Sequence, residues 1–337
     1  MKLNNVTMKD IAEYTGVSTA TVSRVLNNNY PVNIDTKKKV LDAIKELDYE
    51  PNLVARNLRS RKSNLVAIMV ADIKNPYYIS IANEIDYYLF KEGYNLIICS
   101  TNESIEKEQE TIRMLLGKNI DAIAISPCDS KNTDLTTLIN QNVPIVLIDR
   151  KIHGKDIPFV GSNNFEETYL LTEFLIKKGH ERIGILNGTL NNSTGQDRFN
   201  GFKQAMKDYK LMFNEKWVFS GGFEEKKAYD ELNHYLKTKN ELPTALLSCN
   251  NMMTIGAMTA LTENGKNIPD DISLVSFGAL ANQHLLSPQV ACLDQDTTYI
   301  GKKVAELILN QLNNTNDQER VLIDSIFMDG NSVKEMK

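Results

Sequence analysis

From Leu65 onward the sequence alternates short apolar runs with longer segments whose apolar residues recur at helical spacing, and few folds satisfy both patterns. Leu65–Ala71, Leu96–Cys99, Ala122–Ser126 and Ile145–Ile148 are continuous apolar runs, which suits parallel strands buried on both faces. Helical patterns lie between them near Tyr78–Glu92, Ile105–Leu116 and Asp134–Gln141. A second series begins after about Ser162, with a helix near Glu166–Lys178 and runs at Ile183–Leu186, Ala245–Ser248 and Ile272–Phe277. This alternation predicts α/β architecture: two doubly wound parallel sheets of roughly one hundred residues each. A chain of 337 residues has room for both and for a further small unit.

That further unit precedes Leu65 and is all-helical. Met8, Ile11 and Ala12 form one apolar stripe, with Thr7 placed to cap it. Val22, Val25 and Leu26 form a second at i, i+3, i+4, with Ser18 as its cap. Gly16 stands between them, where a turn joining two helices needs a residue tolerant of positive φ. Val40, Ala43, Ile44 and Leu47, after a cap at Asn33, supply the third stripe needed to close a small core. Two short amphipathic helices joined at a glycine form the helix-turn-helix pattern, which ordinary helical hairpins can mimic.

Longer motifs narrow this reading. Met8–Asn27, then Tyr49-Glu50-Pro51-Asn52, Ala55-Arg56-Asn57-Leu58 and Asp72–Tyr78 together resemble the lactose-repressor (LacI) family of transcription factors, and the likeness covers nearly the whole chain. The resemblance implies a helix-turn-helix head at residues 1–50, a hinge helix and linker at 51–63, and an effector-binding and dimerisation core at 64–337. Its first subdomain would take 64–162 and 292–322 and its second 163–291 and 323–337, of the periplasmic-binding-protein type around a cleft. The chain would cross between them near Ser162, Ala291 and Ile323.

The resemblance also implies a palindromic double-stranded operator, read by a homodimer. Arg24 is suited to guanine O6/N7, and the short Thr19 and Ala20 to methyl contact. Thr21 and Ser23 would position on phosphate, with Thr7, Ser18 and Asn27 completing the DNA-facing set. In the hinge, Asn52 would cap a helix carrying Ala55 and Arg56, and Leu58 matches the apolar wedge that unstacks a central base step in the minor groove.

Charge fits this division. Residues 1–63 carry 11 Lys/Arg against 7 Asp/Glu, although the whole chain is net −5, so a basic head precedes an acidic body. The four cysteines, Cys99, Cys128, Cys249 and Cys292, lie far apart and mostly within apolar runs, the usage expected of inert thiols in a reducing cytoplasm. Neither a signal peptide nor a membrane span is expected, and no metal pattern or cofactor. No Gly-x-Gly-x-x-Gly or Walker loop follows any predicted strand, and the four histidines lack metal-ligand spacing, so an enzyme has little to stand on. A transport binding protein would share the core but not the head.

For the effector, the resemblance carries over Asn75, Tyr77, Asp149, Arg198, Phe223, Asn250 and Gln295. Phe223 offers a face for the apolar side of a sugar ring and Arg198 a planar fork for hydroxyls or a carboxylate. Asp149, Asn75, Asn250 and Gln295 can share hydroxyl donors and acceptors. The chain departs from the family at Gly278, Asn251 and Asn163, where aspartates are common. Three acids fewer favour an anionic sugar derivative; a neutral effector, or control by a partner protein as in catabolite regulators, is the alternative. The expected function is a repressor of a carbohydrate uptake or catabolic operon. Asp329–Lys337 lacks leucine heptads, so a dimer rather than a tetramer is expected.

Overall fold

The computed structural model describes residues 6–27, 31–49, 62–238, 241–315 and 319–336, Asn27 in its backbone only. The chain divides into two units, residues 1–62 and 63–337.

The first unit is a three-helix head: α1 (Met8–Thr15), α2 (Thr19–Asn27) and α3 (Ile34–Glu46). Its start is a capping box, in which the Thr7 hydroxyl accepts from the Asp10 amide while the Asp10 carboxylate accepts from the Thr7 amide at 2.7 Å. Gly16 ends α1 at φ 66°, the left-handed conformation the turn requires. Ile11, Ala12, Val22, Val25, Val40 and Ala43 make the core, with Met8, Leu26, Ile44 and Leu47 packed on it, so all three stripes meet. Tyr49, Val17 and Val32 join them without belonging to any helical stripe.

The second unit contains β1 (Leu65–Val70), α4 (Pro76–Lys91), β2 (Asn95–Ser100), α5 (Ile105–Gly117), β3 (Ala122–Ile125), α6 (Thr136–Asn140), β4 (Ile145–Ile148) and β5 (Phe159–Ser162). It continues through α7 (Asn164–Lys177), β6 (Ile183–Asn187), α8 (Ser193–Asp208), β7 (Val218–Ser220), α9 (Glu225–Lys237), β8 (Ala245–Ser248), α10 (Asn251–Glu263) and β9 (Ser273–Phe277). The last elements are β10 (Ala291–Asp294), α11 (Thr297–Leu312), β11 (Arg320–Ile323) and β12 (Ile326–Met328).

One six-stranded sheet runs β11-β5-β4-β3-β1-β2 and the other β12-β10-β9-β8-β6-β7. Every pairing is parallel except β10 with β12. The apolar runs are continuous because each central strand is covered on both faces. Val66, Ile68 and Val70 point to α4 and α11, while Ala67 and Met69 point to α5 and α6. The chain passes between sheets after Ser162, after Asp294 and after Ile323.

The second passage corrects an expectation. The sequence reading gives residues 292–294 to the first subdomain, yet Cys292, Leu293 and Asp294 pair with Met328, Phe327 and Ile326, and Cys292 and Leu293 also with Ser276 and Phe277. Ile323 moves the other way, pairing with Ser162 in the first sheet. Both shifts arise because a crossing occurs where strand pairing ends, and pairing partners are remote in sequence. The expected hinge, 51–61, lies outside the described residues.

Candidate functional site

Two sets of residues concern function, one in each unit. On α2 the Ser18 hydroxyl accepts from the Thr21 amide at 3.1 Å, capping the helix beside the Ser18 carbonyl, which accepts from the same amide at 2.9 Å. With Val22 and Val25 buried, Ser18, Thr19, Ala20 and Arg24 are exposed, and Thr21 and Ser23 are half-buried beside them. Thr7 is exposed at the start of α1, its hydroxyl engaged with Asp10. Asn27 closes α2. Asn52, Ala55, Arg56 and Leu58 lie outside the described residues.

In the core, all seven residues expected around an effector line one cavity at the carboxyl ends of the strands. Asn75 caps α4, accepting from the Tyr77 amide at 3.0 Å. Asp149 follows β4 at φ 64°, and Gln295 follows β10. Asn250 caps α10 through the Met253 amide at 2.7 Å and donates to the Phe223 carbonyl at 3.1 Å. Arg198 lies within α8, one turn beyond the start of the helix. Phe223 follows the Gly221-Gly222 pair, itself at φ 64°. Its ring occupies the space over Gly188, where an added Cβ would come within 2.1 Å of it.

Many of these polar groups are already engaged with one another. Asn251 Nδ2 donates to Asn75 Oδ1 at 2.9 Å, a bond between the two subdomains, and Gln295 Nε2 donates to the Ser162 hydroxyl at 2.9 Å, a bond between two points where the chain crosses. Tyr78 donates to Asp149 Oδ2 at 3.0 Å and Tyr77 more distantly to Oδ1 at 3.5 Å. Burial, followed by the field of Asp149, pushes both phenols well above their usual range, so both remain donors. Arg150 binds Glu103 through two parallel bonds of 2.7 and 2.6 Å. Burial works against its charge, but Glu103, Tyr78 and Asp149 together outweigh it and hold the guanidinium well above its usual value. The open space left is about 40 Å³, little more than the ~30 Å³ share of one water molecule. The cavity is largely filled by its own side chains.

Tyr78, Glu103, Arg150, Thr194 and Phe277 also line the cavity and are absent from the expected set. Tyr78 follows an expected residue, and Arg150 follows another; adjacency could have flagged both. Nothing in the sequence near Glu103 signals its pairing with Arg150, 47 residues on.

The cysteines are ordinary core thiols. Burial pushes Cys128 and Cys249 up to about 12 and Cys292 up to about 11. Among the described residues no cluster of His, Cys, Asp or Glu could hold a metal ion, and no helix is long and apolar enough to cross a membrane.

A helix-turn-helix head with its second helix exposed, in a chain whose core is a pair of α/β sheets enclosing a polar cavity, defines a ligand-sensing regulator of the periplasmic-binding-protein type. The model for "Bacterial regulatory proteins, lacI family" matches residues 7–52, and that for "Periplasmic binding proteins and sugar binding domain of LacI family" matches residues 63–330. The HTH-type transcriptional repressor PurR of Pasteurella multocida is 33% identical over 317 residues, spanning 94% of this chain and 95% of that protein. PurR of Haemophilus influenzae strain PittEE is 34% identical over 308 residues, 91% of each. Among solved structures, the Lac repressor dimer bound to operator and the anti-inducer ONPF superposes with a TM-score of 0.86 at 24% identity, covering 98% of this chain and 100% of that one. A LacI-family regulator from Silicibacter pomeroyi gives 0.83 at 26%, covering 98% and 99%. The chain belongs to the LacI family of bacterial transcriptional regulators, DNA-binding proteins that are not enzymes.

Proposed function

We propose that this chain is a homodimeric repressor of a carbohydrate uptake or catabolic operon, its grip on a palindromic operator set by a small effector in the core cavity. The observation that carries this reading is the convergence of Asn75, Tyr77, Asp149, Arg198, Phe223, Asn250 and Gln295 on one cavity. Asn75 is bonded across the cavity to Asn251 and Gln295 ties two crossing segments, so a ligand that replaces those bonds changes how the subdomains are held. The sugar class is supported by hydroxyl-matching amides and carboxylate around an aromatic face.

On the DNA, Arg24, Thr19 and Ala20 are the base-reading side chains, and Thr21 and Ser23 the phosphate contacts, with Thr7, Ser18 and Asn27 completing the set. Asn52, Ala55, Arg56 and Leu58 would form the minor-groove hinge. The relatives named PurR are themselves called transcriptional repressors, which supports the sign chosen here.

The test is selection of bound duplexes from a random pool, followed by titration of the recovered site with candidate sugars and sedimentation of the complex. A palindromic site bound by two chains, with affinity changed by a sugar, is the expected result. A site without two-fold symmetry, or affinity indifferent to every sugar, overturns the corresponding part.

A further inference from the structure

Two guanidinium groups line the cavity, and they are treated differently. Arg150 is neutralised by Glu103. Arg198 is only 4% exposed, yet none of the described ion pairs includes it. Its Nε donates to Asn164 Oδ1 at 2.8 Å, its Nη1 donates to the Cys249 carbonyl, and its plane lies 3.6 Å from the centre of the Phe277 ring. These partners are all neutral, and Nη2 has no hydrogen-bond partner among the described residues. Glu167 and Asp197 lie within the field of Arg198 but not in contact with it: Glu167 accepts from the Ser325 amide at 2.7 Å, and Asp197 also feels Lys151 and His153. A buried charge without a counter-charge is costly, because nothing replaces its lost hydration.

Beside it, space has been left. Gly278 follows Phe277 at φ 90°, and an added Cβ there would lie 3.7 Å from both the Asn251 amide nitrogen and Gln295 Oε1, ordinary contact distances. The position facing the first turn of α10 therefore carries no side chain, while that turn presents the positive end of a 13-residue helix. On the opposite subdomain Asp149 is held by two tyrosine hydroxyls and is equipped for hydroxyl donors.

We propose that the effector carries one anionic group, a carboxylate or a phosphate, seated between Arg198 Nη2 and the first turn of α10 in the space beside Gly278. The ligand supplies an anion in direct contact with Arg198, which the fold itself does not, and its hydroxyls face Asp149. This rests on the effector reading under the proposed function and narrows it to acids and phosphate esters of sugars.

The first probe is inorganic phosphate, with the melting temperature of the full chain compared in phosphate and chloride at equal ionic strength. Phosphate stabilises proteins generally by exclusion, so the measure is the excess over Arg198→Gln. Wild type is expected to show that excess, Arg198→Lys part of it, and Gly278→Asp, which supplies an internal carboxylate, none. Equal responses in wild type and Arg198→Gln overturn the proposal; if Arg198→Gln fails to fold, an undiminished response in Gly278→Asp does so. Calorimetry with gluconate, glucose 6-phosphate and glucose then separates the sources, a carboxylate or a phosphate ester. Loss of charge at Arg198 should weaken the sugar anion roughly a hundredfold. Glucose binding that ignores Arg198→Gln overturns the anionic group and leaves the effector reading standing. Silence from all three, with no phosphate excess, overturns both.

Discussion

Asn251 Nδ2 donates to Asn75 Oδ1 at 2.9 Å, joining the first turn of a helix in one subdomain to the cap of a helix in the other. The same Asn75 oxygen accepts from the Tyr77 amide, so one atom serves both local capping and long-range closure. Asn251→Ala removes the bridge and a local bond from the Met252 amide, whereas Asn75→Ala removes bridge and cap. The expected losses are about 1 kcal/mol for the first and about 1–2 kcal/mol more for the second. A double-mutant cycle in urea should give a coupling of at least ~0.5 kcal/mol. Strict additivity would mean the bridge carries no energy.

Arg24→Ala is expected to reduce affinity for the selected operator by about 1–3 kcal/mol and to relax preference at one base pair, without lowering the melting temperature. Fluorescence anisotropy on single-base variants of the site reads this directly. Uniform weakening across all variants would assign Arg24 to phosphate instead.

Gly188 is the seat of the Phe223 ring, and there is no room for a methyl group between them. Gly188→Ala should therefore cost about 1–3 kcal/mol and displace the ring from the cavity wall. The companion Gly188→Ala/Phe223→Ala should recover much of that loss, because the clash has gone. A single variant as stable as wild type would show that the ring moves freely.

Glu108 is fully buried on α5, one carboxylate oxygen accepting from the Cys128 amide at 2.8 Å and the other without a partner among the described residues. Burial raises its pKa above the ordinary glutamate value. The folded state thus holds this proton more tightly than the unfolded one, and Glu108 favours folding most below its unfolded pKa. That contribution fades as pH rises through the folded value. Glu108→Gln keeps the acceptor for Cys128 and should be more stable than wild type at pH 7, the advantage shrinking as pH falls toward the usual carboxylate range. Melting curves across pH 4–8 check it, and a gap that widens on acidification would contradict the assignment.

Much of this protein could be read from its residues in order. The stripes of α1, α2 and α3, their caps at Thr7, Ser18 and Asn33, and the left-handed Gly16 follow from local stereochemistry, which acts over one or two helical turns. The central strands β1, β3, β4, β6, β8 and β9 are legible because burial on both faces leaves an unbroken apolar run. Short or edge strands carry no such signature. β5, β7 and β12 pass unnoticed in the sequence, and the expected crossing falls three residues short of Asp294, since pairing with Ile326–Met328 is decided by a segment more than thirty residues away.

The cavity divides along the same line. Which residues line the cavity could be carried over one at a time from a resemblance, because most of them follow a strand or sit in or next to the first turns of a helix. Tertiary structure alone decided what those residues do to each other. It matched Arg150 to Glu103, left Arg198 without a carboxylate in contact, set Asn251 against Asn75, and seated Phe223 on Gly188. Sequence determines local conformation through neighbours a few residues apart, whereas charge compensation and steric fit depend on distances between groups the chain brings together only when folded.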